Sequence, residues 1–415
     1  MRNTNKKGFT IVELVIVVAV IAILAAVLIP TFSSIIRKAN VSSDTVIARE
    51  INTIIAAENA IDEFEGFEDV VDALYANGFL LANLNTKTAD CFFVWESKNN
   101  QILLVDAKDN FKVLFPETYE PAGSTWYLAC PNAELLENYT LPTGINVVPT
   151  ISDTEGVASF VEMIQGEDGG EYTLYLDNNT ILDDSILAYV PGSTNDVVVN
   201  LELGNRTIGT DDKMTTYAIL GYGSNVTMNV NGGVITAANE NTENVDTGTQ
   251  ISVQVCFANG AKATVNGTSF IHNTTVGGHA VMASGSTATF NNVTVKASSA
   301  TANANGIMAQ GGSTVVINDS TVESTARAIM VSEFNGGPSN VTINGGTYTG
   351  GIASIYVQGG STVTVNGGTF VGDLLVYNST LVINGGSFSV DPSAYVNAET
   401  HKVTENNGVW TVTAK

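Results

Sequence analysis

The side chains able to do chemistry here are few, and they fall into two patterns. Glu13 is the one carboxylate inside an otherwise apolar run, FTIVELVIVVAVIAILAAVLI, at residues 9–29. In a membrane-spanning helix a carboxylate costs roughly 2.5–3.5 kcal/mol at the bilayer centre and less toward the edge, so it calls for a partner. The second pattern is a set of asparagines, Asn266, Asn291, Asn318, Asn344, Asn366 and Asn384, spaced by 25, 27, 26, 22 and 18 residues. Amide side chains at equivalent places in stacked repeats can hydrogen-bond to one another or to turn backbone. Acid–base groups form no such pattern. His272 and His279 are each solitary, Asp319 and Arg327 complete no acid–base set, and residues 151–415 hold seven basic residues. Lys296 and Glu323 occupy equivalent positions in successive repeats, as an exposed pair would. Asp183-Asp184 and Asp211-Asp212 read as solvated loop acids more readily than as weak calcium ligands. Phosphate loop, nucleophile elbow and zinc-protease helix signatures are all missing. The expectation is no catalytic residue, no metal and no cofactor.

The composition narrows the function classes. With 17 basic against 41 acidic residues the chain carries a net charge of −24, which repels phosphate backbones and argues against nucleic-acid binding. Abundant Asn and Thr with 39 Gly and 9 Pro point to many tight turns between strands. The three cysteines are too few for a disulfide framework; Cys91 and Cys130 are either bridged outside the cell or buried thiols.

The apolar run is long enough as a helix, about 31 Å, to cross a bilayer. Arg2, Lys6 and Lys7 on its N-terminal flank keep that end cytoplasmic and send everything after Pro30 outside. A cleaved secretory signal would be shorter, with a small-residue site such as Ala25-Ala26 beyond it. A plain anchor fits the length but leaves Glu13 unexplained. Residues 6–13, KKGFTIVE, resemble the prepilin cleavage and methylation motif of type IV pilins and pseudopilins. The resemblance implies cutting between Gly8 and Phe9 by a prepilin peptidase and methylation of the new Phe9 amine. It also implies pairing of Glu13 with the N-terminal amine of a neighbouring pilin-like subunit, which satisfies both charges inside an apolar bundle. Pro30 falls where many members of that family carry a helix-loosening proline.

Beyond Pro30, Ile47, Ile51, Ile54, Ile55 and Ile61 make one apolar helical face. Phe67, Val70, Val71, Leu74 and Tyr75 predict a second short helix stopped at Asn77-Gly78. CFFVW (91–95), QILLVD (101–106) and FKVLF (111–115) predict three strands, the first two joined by a turn at Lys98-Asn99-Asn100. A long helix on a small antiparallel sheet resembles a pilin head in miniature.

The rest of the chain repeats itself. AKATVNGTSF, TATFNNVTV, TVVINDSTV, NVTINGGTY, TVTVNGGTF and TLVINGGSF each carry one of the spaced asparagines, and an earlier copy places Asn231 in the same role. Repeats of this length fit one coil of a β-solenoid. Each copy also has an upstream strand, such as HAVMAS or SIYVQGG, giving two strands per repeat. Alternation turns Val341, Ile343 and Tyr348 inward and Thr342 outward. Stacking then aligns Phe270, Val295, Val322, Tyr348, Phe370 and Phe388 into one internal column. The pattern resembles the right-handed parallel β-helix of the pectin-lyase-like superfamily, with a helix-then-strand cap at 158–182 and a closing strand pair at the C-terminus.

The expected organisation is a leader (1–8), a transmembrane and stem helix (9–66), a small α+β pilin-like head (67–116), a linker or cap (117–143), and an all-β parallel β-helix (144–415). The expected function is that of a surface-exposed minor pilin or pseudopilin whose β-helix is used for adhesion or binding. Its partners are a prepilin peptidase, other pilin-like subunits, the membrane and a glycan or host-surface ligand. A tethered polysaccharide lyase or hydrolase is the alternative, resting on fold analogy alone. Two places where repeat length departs from the rule, 236–252 and the loop around Phe334–Gly337, are candidate binding loops.

Overall fold

The structure is a computed structural model. It describes residues 11–64, 66–79, 86–119, 125–129, 139, 141–142, 145–148, 150–151, 154–166, 169–176, 178–182, 185–190, 194–210, 217–236, 242–244, 249–300, 303–334 and 336–415. The chain divides into two compact units, the second holding residues 66–83, 129–135 and 147–415.

The first unit is led by helix α1, Ile11–Asn59. Its N-terminal part is rich in Val and Ile, whose branched side chains disfavour helix in water. In hydrocarbon the balance reverses, because only a helix satisfies every backbone polar group within one segment. The helix runs through Pro30 unbroken. Just beyond it, Thr31 Oγ1 and Ser33 Oγ donate to the carbonyls of Val27 and Ile29 at 2.9 and 3.0 Å. Further along, the helix becomes amphipathic: Asp44, Ala48, Ile51 and Ile55 are buried at helical spacing.

That face packs on an antiparallel sheet built from β1 (Cys91–Glu96), β2 (Gln101–Asp106), β3 (Lys112–Phe115), β4 (Trp126–Ala129) and β5 (Ile145–Val148), in the order β3-β2-β1-β4-β5. Asn52 on α1 brackets Ile102 of β2, accepting from its N–H at 2.6 Å and donating to its carbonyl at 3.0 Å. The buried Asp44 carboxylate is satisfied by the N–H groups of Lys87 and Thr88 at 2.8 and 2.9 Å and by the Thr88 hydroxyl at 2.6 Å. The β1–β2 turn falls at Ser97–Asn100, where Glu96 accepts from the N–H groups of Lys98 and Asn99. Cys91 is buried in β1, and Cys130 lies outside the described residues.

The second unit is a parallel β-solenoid. Helix α2 (Phe67–Ala76) and helix α3 (Thr154–Gly166) both belong to it. Arg206, fully buried, reaches Asp72 of α2 with Nη1, donates through Nε to the Leu176 carbonyl at 2.5 Å, and lies 5.4 Å from the Tyr75 ring. From α3, Val157, Phe160 and Ile164 enter the solenoid core, closing its first end as the predicted helix-then-strand cap requires. The far end is covered by the hairpin His401–Asn406 and Val409–Ala414, which pairs antiparallel with Gly386–Phe388.

Between the caps every coil stacks in parallel register on the next. The middle repeats fold as three strands, not two: Lys262–Asn266, Ser269–Asn273 and Gly278–Ser284 pair with Thr287–Asn291, Thr294–Ser298 and Ala304–Gln310, while in later coils the same path runs as one continuous strand, Asn340–Gln358 and Thr362–Tyr377. The repeated unit is itself two strands, broken at its asparagine. The residue after the asparagine explains the break: Gly267, Asn292 and Asp319 have φ of 63°, 53° and 46°, a left-handed conformation that Gly, Asn and Asp tolerate best. A later coil makes the turn with Gly346 (φ 92°), where an added Cβ would lie 2.0 Å from the Ser320 carbonyl oxygen.

The predicted internal column is present, with Phe270, Val295, Val322, Tyr348, Phe370 and Phe388 in register and buried. Its last three rings stack at 5.0 and 4.9 Å.

Candidate functional site

Two surfaces carry the residues that sequence patterns single out. The first is the N-terminal part of α1. Gly8 and Phe9 lie outside the described residues. Glu13 sits in the first turn of α1 and is exposed, among Ile11, Val12, Leu14 and Val15, which are exposed as well. Apolar side chains from Ile11 to Ile36 remain uncovered within the unit, so this stretch finds its surroundings in lipid or in other helices. It is long and apolar enough to cross a membrane.

The second surface is the first solenoid face. Here the six asparagines join into one continuous ladder. Asn266 donates through Nδ2 to Asn231 at 2.8 Å, and the donations continue from Asn291 (2.8 Å), Asn318 (2.7 Å), Asn344 (2.9 Å), Asn366 (2.7 Å) and Asn384 (3.0 Å), each to the asparagine before it. At the other end Asn231 donates to Glu202 Oε1 at 2.7 Å, so the ladder ends on a carboxylate. Beside Glu202 lies Glu68 of α2, whose carboxyl is pushed up to about 7 by burial and by the Glu202 charge. A shorter run flanks it, with Asn229 donating to Asn200 and Asn200 to Thr173.

Alternation along the same strands turns Thr287, Thr289 and Asn291 outward over buried Ala288 and Phe290, and aligns Thr362, Thr364 and Asn366 over Val363 and Val365. The outcome is a sheet of hydroxyls and amides repeating every ~4.8 Å between strands and ~6.7 Å along them. A second ladder escaped the sequence reading. Ser286, Ser313, Ser339 and Ser361 are buried at the preceding corner, each backbone N–H of the first three donating to the next hydroxyl at 3.1–3.2 Å. Its signal was available, since a serine stands directly before each of these copies of the repeat.

His272 and His279, solitary in the sequence, are brought near each other and near Arg327 by the stacking of distant segments, while the other titratable groups stand apart. Lys296 and Glu323 are aligned across neighbouring strands. His272 is fully buried. His279 is held down to about 3 by burial and by nearby His272 and Arg327, which keeps its imidazole neutral. Burial pushes the Cys256 thiol up to about 12, far from a nucleophilic thiolate. Asp183, Asp184, Asp211 and Asp212 lie outside the described residues. Among the described residues no group of three His, Cys, Asp or Glu is placed to hold a metal.

Comparison with known proteins addresses about a third of the chain. Residues 3–29 match the family described as "Prokaryotic N-terminal methylation motif". The chain is 30% identical over 139 residues to the type IV wide pilus major component PilA4 of Thermus thermophilus, covering 92% of that protein and 34% of this chain. The chain belongs to the type IV pilin family. Membership implies processing by a prepilin peptidase, membrane anchoring through α1 and assembly with other pilins. About two thirds of the chain has no counterpart in that relative. No solved structure matches the chain.

Proposed function

We propose that this protein is a minor or tip subunit of a type IV pilus or pseudopilus, displaying its solenoid outside the cell as a non-enzymatic adhesive head. Cleavage falls between Gly8 and Phe9, and Glu13 pairs with the new amine of a neighbouring subunit. The observation that carries the adhesive reading is the hydroxyl- and amide-lined face built on the asparagine ladder. Its groups are fixed before any ligand arrives, so many weak hydrogen bonds can add with little ordering cost. Neutral glycans or host surface proteins fit such a face. A head of this size crowds its neighbours along a filament, which favours a minor or terminal position.

Mass spectrometry of the mature N-terminus is the direct test of processing: an N-methylated Phe9 is expected, and retention of Met1 would sink the reading. Immunogold labelling should mark filament ends or sparse sites; filaments composed mainly of this chain would overturn the minor assignment. The non-enzymatic reading fails if the purified chain releases reducing or unsaturated sugar from polysaccharides.

A further inference from the structure

The outer side of the face built from Gly278–Ser284, Ala304–Gln310 and Arg327–Val331 differs from the face that carries the asparagine ladder. Met282, Met308, Met330 and Tyr356 stack in register there, and Cys256, Met282 and Met308 form an apolar cluster separate from the main core. Next to this column stands Arg327. Its guanidinium lies over the Tyr356 ring at 4.6 Å, and Nη1 donates to Asn305 Oδ1 at 3.4 Å. Tyr356 packs at 5.5 Å against Tyr377, which is 52% exposed, and donates its hydroxyl to Gln358 Oε1 at 2.7 Å.

Charge makes this cluster unusual. In a chain of net charge −24, Arg327 has no carboxylate within ion-pair distance among the described residues. Its Nε is buried without a hydrogen-bond partner. Along its own column the next position is Ala353, and only beyond that comes Asp373, two strand spacings or about 10 Å away. A half-buried cation on an aromatic face, with one N–H withdrawn from water and unpartnered, is a receptor for an anion, and a guanidinium fork matches a carboxylate best. Two tilted tyrosines with an amide beside them match the apolar faces and hydroxyls of a sugar ring.

We infer that this face binds a sugar carrying a carboxylate, with Arg327 holding the carboxylate, Tyr356 and Tyr377 packing on the ring, and Gln358 meeting a hydroxyl. The inference rests on the adhesive reading and gives it a second, charge-selective site apart from the asparagine ladder.

The test is calorimetric titration of the full chain in detergent with two acidic probes, sialyllactose and a glucuronate disaccharide, against lactose and an uncharged glucose disaccharide. At least one acidic probe should bind about tenfold or more tighter than its neutral counterpart, the scale of one charge-assisted contact. Arg327→Gln should remove that preference, and Tyr377→Ala should weaken binding of both kinds of sugar. Tyr377 is exposed, so its variant keeps the test valid should Arg327→Gln fail to fold by circular dichroism. Equal binding of acidic and neutral probes, or unchanged affinity in Tyr377→Ala, overturns the site. If the intact chain adheres to cells and a folded Arg327→Gln adheres equally, the site is wrong and the adhesive reading stands; if the intact chain binds neither cells nor glycans, both fall.

Discussion

The first part of α1 and the solenoid are both regular and both rich in Val and Ile, yet they treat apolar surface in opposite ways. In the helix, residues such as Val12, Val20 and Ile29 are half or more exposed, although every backbone group in a helix interior is satisfied. In the solenoid, Val265, Ile317, Ile343 and Val365 are fully buried, and backbone and side-chain amides alike bond to the next coil. The helix therefore needs an apolar environment from outside, whereas the solenoid supplies its own and presents a polar exterior. One region is built to be inserted, the other to stand in water.

The same substitution in both regions should separate them most sharply. Val365→Asp places an uncompensated charge in the solenoid core and is expected to prevent folding, a loss of more than about 4 kcal/mol. Val20→Asp should leave solenoid melting unchanged within about 0.5 kcal/mol while removing the chain from the membrane fraction. Circular dichroism and fractionation of the two variants check this, and a destabilised solenoid in Val20→Asp breaks the comparison. Within the solenoid, Phe370→Ala empties the middle of the Tyr348–Phe370–Phe388 stack and should cost about 3–5 kcal/mol in denaturant unfolding.

A smaller effect is expected from Asn318→Ala, which removes one bond to Asn291 and one from Asn344. The site is half-buried, so a loss of about 1–2 kcal/mol is expected in the same assay, with Asn384→Ala, which ends the ladder and gives up one bond only, losing less. The smallest effect concerns pH. Glu68 is held up to about 7, first by burial and then by Glu202, above its unfolded value. A carboxyl with a raised folded pKa favours the folded state in its protonated form, so its contribution is present below pH ~4.5 and is lost as pH rises through about 7. With the intrinsic base-catalysed exchange rate divided out, the α2 amides should be less protected at pH 8 than at pH 5.5, and Glu68→Gln should flatten that difference. Equal protection of α2 at both pH values in the unmodified chain would show that the Glu68–Glu202 contact does not help hold the helix.

Sequence by itself determined much of this protein, because the informative signals were local or periodic. KKGFTIVE and the run after it specify the pilin stem, since a short contiguous segment carries both the processing site and the apolar helix. The recurring asparagines and inward aromatics specify the stacked coils, since in-register repetition puts equal residues at equal heights. Sequence counted two strands per repeat where the middle coils have three, because the strand break there comes from a single left-handed residue, Gly267, Asn292 or Asp319, and leaves the alternation looking continuous. It also missed the partners of Arg206 and Arg327. Asp72 and Leu176 meet around Arg206, and Asn305 and Tyr356 around Arg327, only when distant segments are stacked. Contacts of that kind have no period and no motif; which side chains end up sharing a desolvated space is decided by tertiary packing alone.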